Sequence, residues 1–245
     1  MIYFDNAATT PMDPGVVEVL NESMRRDFAN SGTVYKIGLD AHNRIREASE
    51  TIARALDLPP THRLIFTSGG SESNNLFIKG LCAPDKKAAC LGLEHPSVVE
   101  PLNSLKGFGN EPRILLDHQK EGRLDLDAVA GLKESPVRLL CLSHVNNELG
   151  TVNDPQAVAA ALQSQSPQTR LFLDGVQAVG KIPLTPELWR SCAGYSISAH
   201  KINGPKGIGL LIYDSRLVLA PQIHGGQQQY GVRAGTMPVP LIVAL

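Results

Sequence analysis

The sequence predicts an α/β fold with a mostly parallel sheet. Three observations carry that reading. Seven strand-sized apolar segments recur along the chain, and amphipathic segments long enough for helices separate most of them. Turn residues are plentiful, with 22 Gly and 17 Pro among 245 residues, so the elements are short and well punctuated. Hydrophobic residues make up 42% and charged residues 19%, which is enough apolar material for a packed core.

Taken in order, Asp13-Pro14 opens a helix to about Arg26, with an N-cap Asp and Pro at the first helical position. Residues 40 to 56 read as a helix whose apolar face holds Ala41, Ile45, Ala48, Ile52 and Leu56. Strands are expected at Arg63–Thr67, Ala88–Leu93, Arg113–Leu116, Val137–Ser143, Arg170–Asp174, Gly194–Ser198 and Gly207–Tyr213. Helices are expected at 71–82, 96–106, 125–133 and 154–164. There is no internal repeat, low-complexity tract or linker.

The net charge of −1 argues against a nucleic-acid partner, which would require a clustered Lys/Arg surplus. No stretch approaches the ~18 apolar residues of a membrane span. The start, Met1-Ile2-Tyr3-Phe4-Asp5, lacks the pattern of a secretory signal, so a cytoplasmic protein is expected. Cys82, Cys90, Cys141 and Cys192 form no C-x-x-C pair and sit in apolar settings, as core cysteines do.

In parallel sheets, ligands bind beyond the carboxyl ends of strands, so the residues that follow each strand are the candidates for chemistry. Thr67-Ser68-Gly69-Gly70-Ser71 runs from a strand through glycines into a helix start, where backbone N–H groups can hold a phosphate; an ordinary Ser-capped turn is the alternative. Glu94-His95-Pro96-Ser97 offers His95 as an acid/base or stacking group, or as a structural histidine. In His144-Val145-Asn146-Asn147, Asn147 can meet a ligand oxygen or belong to an Asx-type turn. Asp174 ends an apolar strand and suits a cationic ring nitrogen, a metal or a helix cap. No matching cluster of ligands supports the metal. Lys201, between Ser198 and His200 on one side and a Gly/Pro loop on the other, suits a Schiff-base lysine of lowered pKa. A phosphate cradle, a ring-nitrogen carboxylate, a stacking His and a Schiff-base Lys together are what pyridoxal phosphate (PLP) requires.

These segments resemble the cysteine desulfurases of the NifS/IscS type, class V aminotransferases among the fold-type-I PLP enzymes. The resemblance starts at Tyr3-Phe4-Asp5-Asn6-Ala7-Ala8-Thr9-Thr10-Pro11. It runs through F-T-S-G-G-S-E-S-N-N, E-H-P-S-V, H-V-N-N-E-L-G, D-G-V-Q-A-V-G-K, S-A-H-K and G-P-K-G-I-G to H-G-G-Q and Arg233-Ala234-Gly235-Thr236. It implies a three-layer large domain with a mostly parallel seven-stranded sheet over residues 15–245. Residues 1–14 would contribute to a small domain whose C-terminal part is absent from this chain. It implies that Lys201 bonds the cofactor, Asp174 pairs with the ring nitrogen, Gln177 contacts the ring hydroxyl and His95 stacks on the ring and assists proton transfer. Gly70, Ser71, Ser198 and His200 would hold the phosphate. Asn147 would approach ring and substrate, Asn30 would face the substrate, and Thr236 would reach the phosphate of a neighbouring subunit in a homodimer.

The implied activity converts L-cysteine to L-alanine and passes sulfur as a persulfide to an acceptor protein. Two departures stand out. The family loop N-P-S-S-x-H-x-x-G reads here with Ser31 and Tyr35 in place of Pro and His. The chain stops at Leu245 inside an apolar stretch, where the family continues into a long helix and the nucleophilic cysteine, so the 245 residues alone are expected to lack turnover. A selenocysteine lyase, an aminotransferase or a non-catalytic PLP-fold scaffold are the alternatives. A Rossmann-like nucleotide binder would need a glycine fingerprint that is missing.

Overall fold

The computed structural model describes residues 2–82, 87–105 and 113–245. Seven strands, β1 (His62–Thr67), β2 (Ala88–Leu91), β3 (Arg113–Leu116), β4 (Leu139–Ser143), β5 (Arg170–Asp174), β6 (Gly194–Ser198) and β7 (Gly209–Asp214), form one sheet in the order β1-β7-β6-β5-β4-β2-β3. All seven lie where the sequence places them, within two residues at each end. β7 alone runs antiparallel to its neighbours. Only ten residues join β6 to β7, which is too few for the crossover that a parallel pair needs. That short connection carries Lys201.

The helices are α1 (Pro14–Arg26), α2 (Lys36–Ala55), α3 (Gly70–Leu81), α4 (Pro96–Ser104), α5 (Pro155–Gln165), α6 (Pro186–Ser191) and α7 (Val239–Val243). Asp13 caps α1 by accepting from the backbone N–H of Gly15 at 2.8 Å, with Pro14 at the first position. α2 starts four residues before the expected boundary, at a Tyr35 that makes no side-chain cap, so the usual start signal is missing. The expected helix at 125–133 is a 3-10 helix, Leu126–Lys133, entered by an Asp125 cap and a tight Ala128-to-Asp125 backbone bond of 3.1 Å. The last expected residue of the 96–106 helix lies outside the described residues.

Successive strand residues alternate between two buried clusters. Ala89, Leu140, Leu171, Tyr195 and Leu210 face one side, with Val129, Leu132, Val158, Leu162 and Trp189. Cys90, Cys141, Phe172, Leu211 and Tyr213 face the other, with Leu76, Phe77, Val98 and Leu102. The result is three layers, with α3 and α4 on one face and α5, α6 and the 3-10 helix on the other. Strands covered on both faces have to be apolar throughout, which is why they read as continuous runs rather than alternating ones. Ala41 is buried, and Ile45, Ala48, Ile52 and Leu56 pack against the first cluster, as the helical period predicts. All four cysteines are buried. Burial pushes the thiols of Cys82 and Cys192 up to about 12. Among the described residues no helix is long and apolar enough to cross a membrane.

Candidate active site

β2, β4, β5 and β6 are neighbours in the sheet and parallel, so their carboxyl ends open side by side. A cavity of about 640 Å³ lies there. The chain that leaves each strand delivers one group to it: His95 after β2, Asn147 after β4, Asp174 at the end of β5, and Ser198, His200 and Lys201 at and after β6.

The α3 N-terminus comes from β1, on the far side of β7, and glycines let it cross. A Cβ on Gly209 would lie 2.6 Å from the Cα of Gly69, so only a glycine at the start of β7 lets that backbone pass. Gly69 itself has φ +150°, a conformation that side chains rarely tolerate. Gly70 then sits against Val176, beside Ser198. Gly70, Ser71, Ser198 and His200 thus present helix N–H groups, hydroxyls and an imidazole to one end of the cavity, a donor set for an anion.

Asp174 is buried with its carboxylate held by three donors. Asn74 Nδ2 reaches Oδ2 at 2.8 Å; the Val176 N–H and the Ser196 hydroxyl reach Oδ1 at 3.0 and 3.4 Å. Gln177 donates through Nε2 to the Ala7 carbonyl at 2.7 Å and accepts from Lys181 Nζ. Lys201 Nζ donates to the same Ala7 carbonyl and to that of Ala8 at 2.9 Å. Burial lowers the Lys201 pKa, against the opposing pull of Asp174 and Asp5. His200 Nδ1 lies 3.1 Å from the Thr9 hydroxyl, and burial with the charge of Lys201 lowers its pKa.

Two bland readings of the sequence coexist with the functional ones. His95 does cap α4: its Nδ1 accepts from the Ser97 N–H at 3.0 Å, which leaves Nε2. The Asx-type turn after β4 is made by Asn146, whose Oδ1 accepts from the N–H groups of Glu148 and Leu149, and half-buried Asn147 is left to line the cavity. Asn30 and Thr236 are not brought to this site. They line a second cavity of about 550 Å³ with Phe66, Gln229 and Tyr230.

The sequence reading passed over Asn74, Ser97, Glu94, Ser143 and Lys181. Asn74 follows Gly70 by four residues and therefore shares its helix face, which is the signal that marks it. Its Oδ1 is buried without a partner among the described residues, a state that costs about 1–3 kcal/mol. Glu94 is buried and accepts from the Ser143 hydroxyl; burial, aided by Asp174, raises its carboxyl to about 7. No group of three or more His, Cys, Asp or Glu among the described residues is placed to hold a metal.

The aminotransferase class-V family model matches residues 2–245. The chain belongs to the class-V aminotransferase family. Within that family it is 35% identical to a cysteine desulfurase IscS of Dictyoglomus turgidum over 249 residues, which takes in all of this chain and 62% of the relative. A solved NifS-like protein superposes with a TM-score of 0.92 at 30% identity, covering 99% of this chain and 67% of the other. SspA in complex with cysteine gives 0.88 at 34%, covering 100% and 71%. The chain spans about three fifths of the length of the curated relatives it matches. These solved structures share its fold, three layers around a mostly parallel sheet, the fold-type-I architecture.

Proposed function

We propose that the chain forms the PLP-binding part of a cysteine desulfurase. The observation that carries this reading is the convergence of Lys201, Asp174 and the α3 N-terminus on one cavity. The donor set fits the group: N–H and hydroxyl donors for a phosphate, a buried carboxylate for a protonated ring nitrogen, and an amine whose burial favours its neutral, nucleophilic form. Bound there, PLP would supply a ring that accepts electrons from bonds at the substrate α-carbon.

In this reading Gly70, Ser71, Ser198 and His200 hold the phosphate, and Asp174 holds the ring-nitrogen hydrogen. Gln177, kept in place by Lys181, meets the ring hydroxyl, and His95 stacks on the ring. Lys201 would be the residue that bonds the cofactor and, when free, the base that carries a proton at the substrate α-carbon, with His95 assisting. Asn147 is assigned to the substrate side; Asn30, in the second cavity, does not reach that side within one chain. L-Cysteine as substrate is supported by the IscS relatives and by the cysteine bound to SspA. A cysteine thiolate would attack the substrate sulfur as the Cβ–S bond breaks, the electron pair leaving with the carbon skeleton that is protonated to alanine, and an acceptor protein would receive the outer sulfur of the persulfide. That thiolate comes from outside these 245 residues, because Cys82, Cys90, Cys141 and Cys192 are all buried in the two cores.

A homodimer is part of the proposal. Thr236 lines the second cavity with Asn30 and is not among the residues that line the cavity with this chain's phosphate cradle, so a phosphate contact from it would belong to a second copy. Residues 1–14 are assigned to the small domain and 15–245 to the PLP-binding domain; exposed Ile2 and Phe4 give the first segment an apolar surface for that role. A cytoplasmic location fits cysteines packed as small hydrophobes.

The test is borohydride reduction after incubation with PLP, followed by intact mass and peptide mapping. A phosphopyridoxyl adduct on Lys201 is expected. No adduct, or an adduct on Lys181 or Lys206 instead, rejects the reading.

A further inference from the structure

A hydrogen-bond chain behind the cavity is left unused by this chemistry. Asn74, wholly buried on α3, donates one amide hydrogen to Asp174 Oδ2 and the other to Ser97 Oγ, each at 2.8 Å. Ser97 Oγ lies 2.7 Å from His95 Nδ1, and the Ser97 N–H donates to that same nitrogen at 3.0 Å. Counting hydrogens leaves one assignment. Both Asn74 amide hydrogens are used, and the Asp174 carboxylate only accepts. Ser97 Oγ can accept twice, so the backbone decides: the Ser97 N–H donates to Nδ1, which makes Nδ1 an acceptor, and the Ser97 hydroxyl then turns its own hydrogen to the same nitrogen. Nδ1 therefore accepts from two donors, and the hydrogen of the neutral ring sits on Nε2. The buried Oδ1 of Asn74, which has no partner among the described residues, fits a side chain held for its NH2 group alone.

We propose that Asn74 and Ser97 are positioning residues that hold His95 in its Nε2–H form and tie it, through a chain of three hydrogen bonds, to Asp174. His95 then presents an N–H, not a lone pair, to the cavity it lines. The group that meets it is an acceptor, such as a thiolate, a phenolate or a carboxylate. The consequence for substrate rests on the proposed function; the ring state belongs to the chain with or without cofactor.

The test is long-range ¹H–¹⁵N correlation of the histidine rings in the full chain without added PLP, with His95 assigned by its loss in His95→Gln. The expected result is Nε2–H for neutral His95. Ser97→Ala should move Nδ1 downfield as a donor is lost, Asn74→Leu should move it the same way by less, because only the donor that orients the Ser97 hydroxyl is lost, and Ser97→Thr, which keeps the hydroxyl, should restore the parent position. A hydrogen on Nδ1 in the parent chain overturns the proposal. So does an unmoved Nδ1 in both variants while far-ultraviolet circular dichroism shows them folded. If Asn74→Leu fails to fold, Ser97→Ala decides alone. Failure of the PLP reading would appear separately, as a missing Lys201 adduct in a chain whose His95 spectrum is as expected.

Discussion

Glu94 and Ser143 meet beneath the cavity, the Ser143 hydroxyl donating to the Glu94 carboxyl, where the chain leaves the adjacent parallel strands β2 and β4. Burial is the larger influence on Glu94 and raises it from 4.5 to about 7; the hydrogen bond opposes and the charge of Asp174 assists. The folded protein thus binds a proton there that the unfolded chain has released, so stability falls as pH rises from about 4.5 to 7. The shift corresponds to roughly 3 kcal/mol. Glu94→Gln keeps an acceptor for Ser143 without a charge. Urea unfolding at pH 5 and pH 8 should show the parent losing stability across that interval relative to the variant. Parallel profiles would place no proton on Glu94.

His144 contributes the opposite slope. Burial lowers it from 6.5 to about 4, and its Nδ1 lies 2.8 Å from the buried Tyr195 hydroxyl. The unfolded chain binds the proton that the folded one refuses, so stability is lost as pH falls from 6.5 through about 4. Between 4.5 and 6.5 the two groups offset each other. His144→Gln should flatten the acid limb and leave the limb of Glu94 exposed, giving a protein whose stability rises on acidification from pH 7 to 5. Unfolding curves across that range test the sign.

Gly175, next to Asp174, allows the Tyr195 ring to pass. A Cβ there would lie 1.8 Å from Cε1 of that ring, inside the core. Gly175→Ala is expected to destabilise by about 1–3 kcal/mol, the usual range for overpacking. Gly92 has open space around its missing Cβ and is the matched control. Thermal melts of the two variants should separate clearly.

Asp174→Asn removes the charge assigned to the ring nitrogen while keeping an oxygen acceptor. A charged hydrogen bond contributes about 1.5–3 kcal/mol, so PLP should bind roughly tenfold to a hundredfold more weakly. Absorbance titration with PLP measures this. Equal affinity would remove Asp174 from the site.

Much of the candidate site was legible because each group follows a strand directly. His95, Asn147, Asp174, Ser198 and Lys201 all stand within four residues of an apolar run's end, and the cavity gathers them. Asn74 and Ser97 were not legible in that way. Each is an ordinary polar residue in an early helical turn, and what makes them matter is contact with residues 100 and 23 positions away.

The chain by itself determined the seven strands, the longer helices and the apolar faces that bury them, because period and turn chemistry act over a few residues; the short α6 and α7 went unmarked, since five or six residues are too few to show a helical period. It also marked the polar groups at the strand ends. The tertiary structure alone decided which ends lie together. Sheet order sets β6 beside β5 and β5 beside β4, and the Gly69–Gly209 approach carries α3 across β7 to join them. The same long-range packing sent Asn30 and Thr236 to a different cavity, and raised Glu94 while it lowered His144, since burial is a property of the assembled layers and not of any segment.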